Sequence, residues 1–189
     1  MSDRVPSLQQ RVTAAILDGA ARLFAAEGEQ ASMNDVAAAA GVARATVYRY
    51  FPNRQALLDE LALFALGDAE ARLTSARLDE VPPEEGIVRA VRVLVDLGDS
   101  FVLLSRERAQ SEAERYQRTV IQPLQELFER GQASGDLRGD IPSARLAESL
   151  IGLIVGVLRS TPPLGREDMI ATITGLFIDG ARARGPRPL

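Results

Sequence analysis

Apolar side chains recur at spacings of three and four along nearly the whole chain, and period-two alternation is almost absent, so the pattern predicts helices throughout. The first runs from about Gln9 to Glu27, with Val12, Ile16, Ala20, Leu23 and Phe24 on one stripe and Gly28 as its stop. Ser32 is placed to cap a short second helix through the N–H of Asp35, whose carboxylate suits the positive helix end, and Gly41 closes that helix. A third short helix spans about Ala43 to Tyr50 and stops before Pro52. Asn53 then caps a fourth, from Arg54 towards Arg77, which at about 1.5 Å per residue reaches roughly 30 Å and is long enough to leave one domain and enter another.

The segment "DEVPPEE" breaks that helix, and a fifth follows with Ile87, Val91, Leu94 and Phe101 in one register. A sixth covers about Ser111 to Gln132 with Pro123 as a kink point, and "GQASGDLRGDIP" is the longest loop signal. The last two helices are expected over about Ser143 to Arg159 and Glu167 to Ala183, separated by "STPPLG". The former is apolar over most of its circumference, Leu146, Leu150, Leu153 and Val157 lying beside Ala147, Ile151, Ile154 and Leu158, so it is expected to be covered on most sides. A second subunit is one candidate cover, and Gly152 and Gly156 would let a backbone approach closely. The reading is all-α.

Composition adds exclusions. The 189 residues are 46% hydrophobic, enough to fill a core, and contain neither cysteine nor histidine. That removes thiolate nucleophiles, disulfides, haem ligation by histidine and the usual zinc sites, so no cofactor is expected. The start, "MSDRVPSLQQRV", has no apolar signal region, and the longest apolar run, near "LIGLIVGVL", is about half of the roughly 20 residues a membrane span needs. A cytoplasmic protein with no membrane partner is expected.

The net charge of -4 argues against a surface that binds polyanions everywhere. Yet residues 1–55 carry six arginines against five acids, while the remainder carries sixteen arginines against twenty-one. Basic character is shifted towards the first unit, weakly.

The pattern over "MNDVAAAAGVARATVYRY", residues 33–50, is more specific. Two helices crossing steeply through a short turn need a small residue at the crossing, a turn glycine with positive φ, and apolar residues facing inward from both. Ala37, Gly41, and Val36, Ala40, Val42 and Val47 supply these in turn, and Phe51 continues the inward face four residues after Val47. Arg44, Ala45, Thr46, Tyr48 and Arg49 are then left on the outer side. This is the arrangement of a helix-turn-helix recognition helix, whose first residues reach base edges in the major groove while others grip phosphate. Arginine can be bidentate to guanine, threonine can meet a base or a phosphate, and a tyrosine hydroxyl can donate to phosphate. Asn53 and Arg54 add a helix N-terminus with a positive side chain.

At these residues the chain resembles the TetR family of bacterial transcriptional regulators, most densely from about Leu8 to Gly67, where "ILDGAARLFAAEG" and "SMNDVAAAAGVARATVYRYFPNRQALLDEL" follow the family's N-terminal three-helix domain. The resemblance implies a DNA-binding domain over residues 8–67 and a C-terminal effector-binding and dimerisation domain over 68–189, joined by the long fourth helix. By position, it implies that Ser32 caps the second helix and touches phosphate, that Arg44, Ala45 and Thr46 face the groove, and that Tyr48 and Tyr50 contact the backbone of double-stranded operator DNA. Arg54 stands where the family usually has lysine, and Tyr50 where it often has histidine; a tyrosine still donates one hydrogen bond there.

The same resemblance implies a homodimer and a small-molecule effector that alters the spacing of the two recognition helices. Leu150, Ile154, Ile173 and Phe177 on the last two helices are the candidate dimer contacts, giving a four-helix bundle across a twofold axis. Phe64, Leu94, Phe101, Tyr116 and Leu150 are candidate pocket residues for a mainly apolar effector, with Arg89, Arg92, Asp96 or Arg108 able to set a polar preference. The expected function is repression relieved by that effector. An enzyme would need more than acid pairs such as Glu84 with Glu85 or Asp136 with Asp140, neither of which has a nucleophile, base or metal set beside it. The remaining rival is an adaptor that uses the helix-turn-helix shape to bind a protein.

Overall fold

The chain is described by a computed structural model over residues 7–27, 30–106 and 112–183. Among these every regular element is helical, apart from an isolated antiparallel bridge between Leu137 and Arg182. The backbone divides into two compact units, residues 1–64 and 65–189.

In the first unit α1 (Leu8–Glu27) turns Ile16, Leu17, Ala20, Ala21 and Phe24 into the core, while Val12 and Leu23 are half-buried. Against it pack α2 (Met33–Ala39) and α3 (Arg44–Tyr50), followed by the start of α4 (Arg54–Ala76) with Leu57, Leu58 and Leu61 buried. Gly19 of α1 explains how close the second helix comes. A Cβ there would lie 2.9 Å from the Ala40 nitrogen and 3.0 Å from the Ala39 carbonyl carbon, both of them backbone atoms with little freedom to retreat. Arg11, Asp18 and Arg22 stay exposed on the opposite face.

The second unit holds the rest of α4, then α5 (Pro83–Leu97), α6 (Asp99–Arg106), α7 (Ala113–Tyr116), a π-helical turn (Gln117–Ile121), α8 (Gln122–Ser134), α9 (Ser143–Leu158) and α10 (Arg166–Ala181). The single register expected from Ile87 to Phe101 is broken: Gly98, at φ 52, ends α5, and Phe101 belongs to α6. The apolar spacing survives the break because Leu94 and Phe101 are both fully buried on either side of it. Ser111, the expected start of the sixth helix, and Arg108 lie outside the described residues.

That sixth helix forms, but not as one uniform α-helix. Proline at 123 has no N–H to donate to the Thr119 carbonyl, and just ahead of it the Gln122 N–H reaches the Gln117 carbonyl, five residues back. The core is completed by Leu124, Leu127 and Phe128 of α8, Leu146, Leu150 and Ile154 of α9, and Ile173 and Phe177 of α10, with the rings of Phe128 and Phe177 centred 5.4 Å apart. Each such fully buried side chain contributes roughly 1.5–3 kcal/mol of transfer free energy.

Ion pairs fasten the outer elements to this core. Arg166 at the start of α10 grips Asp96 of α5 through two hydrogen bonds of 2.6 and 2.9 Å, and Arg182 reaches Glu84 at 2.9 Å. The Arg166 guanidinium holds the Asp96 carboxyl below its ordinary value, chiefly by direct hydrogen bonding.

Candidate functional site

The turn between α2 and α3 is built by its sequence. Ser32 and Asp35 form a reciprocal cap: the Asp35 N–H donates to the Ser32 hydroxyl at 3.3 Å and the Ser32 N–H to the Asp35 carboxylate at 3.0 Å. These Ser32 hydrogen bonds hold the Asp35 carboxyl below its ordinary value. At the other end Gly41, at φ 65, lets its own N–H reach the Ala38 carbonyl at 3.1 Å while Val42 donates to Ala37 at 3.0 Å. This paired closure is the Schellman geometry, and it needs the left-handed conformation that glycine adopts without strain. The chain therefore leaves α2 at a fixed angle and enters α3 two residues later.

Burial then sorts α3 into two faces. Val47 is fully buried and Phe51 nearly so, whereas Arg44, Ala45, Tyr48 and Arg49 are exposed and Thr46 and Tyr50 are half-buried. The Arg44 guanidinium lies 5.3 Å from the centre of the Tyr48 ring, and that of Arg49 lies 5.2 Å from the centre of the Tyr50 ring. Such cation–π contacts restrain long side chains without consuming the guanidinium hydrogen-bond donors. The outer face thus presents two positive, donor-rich groups and two phenols on a rigid helix.

Ser32 is exposed at the head of α2, and Asn53 caps α4 by accepting from the Ala56 N–H at 2.8 Å. Arg54, first in α4, is half-buried, with its guanidinium 4.6 Å from the centre of the Phe24 ring. Its position is set by packing more than that of Arg44 or Arg49 is, a distinction that residue type alone does not carry.

The second unit holds a cavity of about 510 Å³ between α4, the π-helical turn and α8. Leu73, Leu78, Leu127 and Pro123 give it an apolar floor, and Arg77, Arg115, Arg118, Arg130, Glu70, Asp79 and Glu126 a charged rim. None of the five residues expected to line a pocket is among its walls. Leu94, Phe101 and Leu150 are fully buried core, Tyr116 is nearly so, and Phe64 is 59% exposed. The lining of this cavity is mixed and rich in arginine. Sequence periodicity found the buried side chains but could not tell a filled core from a vacant space.

The other polar candidates are engaged elsewhere: Arg89 with Glu85 and the Ala76 carbonyl, Arg92 with Glu167, and Asp96 with Arg166. The side chains expected to meet a second copy lie as follows. Leu150, Ile154, Ile173 and Phe177 are buried within the protomer. What α9 and α10 leave uncovered is Gly152, Gly156, Gly175 and Leu176, the last 62% exposed, with Ile151, Val155 and Thr172 half-buried around them.

Among the described residues no helix is long and apolar enough to cross a membrane, and no group of histidine, cysteine or carboxylate side chains is disposed to hold a metal ion.

Comparison with known proteins agrees with this geometry. Residues 16–61 match the family model described as bacterial regulatory proteins, tetR family. Over 90 residues the chain is 40% identical to the HTH-type transcriptional repressor LfrR of Mycolicibacterium smegmatis, a stretch covering 48% of this chain and about half, 47%, of that repressor. It is also 26% identical over 176 residues to the HTH-type transcriptional regulator YhgD of Bacillus subtilis, covering 86% and 90% of the two chains. The crystal structure of LfrR from Mycobacterium smegmatis with proflavine superposes with a TM-score of 0.73 at 23% identity, covering 94% of this chain and all of that one. AibR, solved with isovaleryl coenzyme A and operator DNA, gives 0.69 at 22% identity, covering 87% and 97%. These structures share the fold: an N-terminal helix-turn-helix unit followed by a helical C-terminal unit.

Proposed function

From its membership of the tetR family of bacterial regulatory proteins, we propose that this transcriptional regulator is a repressor that occupies operator DNA as a homodimer and is released by a small effector. The observation that carries the reading is the sorting of α3, where buried Val47 and Phe51 leave Arg44, Ala45, Thr46, Tyr48 and Arg49 on one outward face. In a major groove, Arg44, Ala45 and Thr46 at the start of α3 meet base edges, while Tyr48, Arg49, Tyr50 and Ser32 hold phosphates. Arg54, tethered over Phe24, adds a fixed positive charge at the start of α4.

One seven-residue helix reads too few bases for strong specificity, so two copies are needed. The uncovered face of α9 and α10 around Gly156 and Leu176 supports such a pairing: glycines permit close approach, and the half-buried Ile151 and Val155 gain further burial. The arginine-rimmed cavity serves as the effector site. LfrR and AibR are described with ligands as unlike as proflavine and isovaleryl coenzyme A, which supports effector binding in general and leaves its chemistry to each cavity. A single helix, α4, carries both Arg54 and the cavity residues Glu70, Leu73 and Thr74, so it is the natural coupler. An effector shifts the two states only by its differential affinity for them.

A random-site DNA selection with the full chain tests this reading. Enrichment of a two-half-site sequence, followed by loss of binding on adding an effector found by thermal shift, is the expected outcome. Failure to enrich any sequence would instead favour the protein-binding adaptor.

A further inference from the structure

Two consecutive polar residues of the cavity wall, Arg118 and Thr119, are without a side-chain partner among the described residues. Among the described residues Thr119 is a buried polar residue, 8% exposed, that lines the cavity, and its hydroxyl makes no hydrogen bond to any described residue. A helical threonine ordinarily returns its hydroxyl to a carbonyl one turn back, as Thr174 does to Ile170 at 2.7 Å. The Thr119 hydroxyl is thereby left free to act as donor and acceptor towards a ligand. Its neighbour Arg118, on the same π-helical turn, also lines the cavity and has no ion pair or hydrogen bond among the described residues.

The remaining charges are partly accounted for. Arg115 pairs with Glu70 at 3.3 Å, Arg77 with Glu80 at 3.1 Å, and Glu126 accepts from Gln122 at 2.8 Å. Arg130 spans the carbonyls of Leu78 and Asp79, tying α8 to the segment after α4. Arg118 and Thr119, consecutive on the π-helical turn, keep free hydrogen-bond donors at the cavity wall. Leu73, Leu78, Pro123 and Leu127 supply the apolar part of the same lining.

We propose that this cavity binds a small organic carboxylate, its head held by the Arg118 guanidinium and the Thr119 hydroxyl and its apolar tail laid along Leu73, Pro123 and Leu127. A planar guanidinium and a carboxylate match in a two-bond fork, and the adjacent hydroxyl supplies a third donor. A cation at the same place would face Arg118 and Arg115. The inference rests on the cavity being the effector site, and it adds the ligand's chemical class.

The test measures binding to the DNA-free full-length chain by calorimetry, using matched sets that share a tail: hexanoate, hexanamide and hexylamine, and benzoate, benzamide and benzylamine. In at least one set the carboxylate should bind at least about tenfold more tightly than its amide, with the amine weakest, as expected for loss of a charge-assisted pair. Arg118→Gln should erase that preference, and the isosteric Thr119→Val should weaken the carboxylate alone. Melting temperatures of both variants confirm that they fold. Amides binding as well as carboxylates, no carboxylate binding at millimolar concentration, or a preference that survives Arg118→Gln would each overturn the proposal. The same probes are then added to the chain on its selected DNA. Carboxylate binding without release of DNA would defeat the effector reading and leave the anion site standing; release by a neutral or cationic member alone would do the reverse.

Discussion

Gly41 and Gly19 are both glycines of the first unit, required for different reasons. At Gly41 a Cβ would meet nothing within 4 Å, so Gly41→Ala carries only the strain of a positive φ, roughly 1 kcal/mol. At Gly19 the φ is ordinary and the obstacle is the backbone of Ala39 and Ala40, so Gly19→Ala should cost more, about 2–3 kcal/mol, by forcing α1 and α2 apart. Urea denaturation of the two variants checks the ranking, and equal losses would contradict it. The difference also marks what the sequence reveals. Gly41 is legible because a turn glycine between two capped helices is a local signal, whereas Gly19 stands mid-helix and acquires its role only when another helix arrives.

For the elements, local chemistry set the short helices and failed where breaks depended on the fold. The Ser32–Asp35 cap and the Asn53 cap were readable because they are contained within four residues. The end of α5 at Gly98 and the π-helical turn before Pro123 were not placed, since neighbouring apolar residues keep a helical spacing through both. The same limit hid the cavity, which lies beside that turn. The cap itself has a pH signature. Hydrogen bonds from Ser32 depress the folded Asp35 below its ordinary 3.8, so their stabilisation is present above that value and is lost as pH falls through the lower folded one. Ser32→Ala should therefore lower the melting temperature at neutral pH, with the gap to the parent chain narrowing as pH drops below 3.8. Thermal melts across an acid series check this, and a gap that widens on acidification would contradict it.

At the scale of the whole molecule, the acidic balance and a recognition role for α3 are compatible because α3 gathers Arg44, Arg49, Tyr48 and Tyr50 on its outer side, while the arginines of the second unit largely engage acids and carbonyls. Assembly is the part least written in the sequence: periodicity identified α9 as apolar over most of its circumference but could not say which stripe the protomer keeps. With Leu176 outward, Leu176→Glu should yield monomers in sedimentation while leaving the protomer folded, since that side chain is already 62% exposed. A variant that remains dimeric would move the interface elsewhere. The most direct measurement is the salt dependence of binding to the selected DNA site, by fluorescence anisotropy, for the parent chain and Arg44→Ala. The expected result is affinity that falls steeply with salt, together with a loss of roughly tenfold or more in Arg44→Ala that is larger on the selected site than on a scrambled one. A flat salt response, or Arg44→Ala binding the site as tightly as the parent chain, would contradict a recognition role for α3.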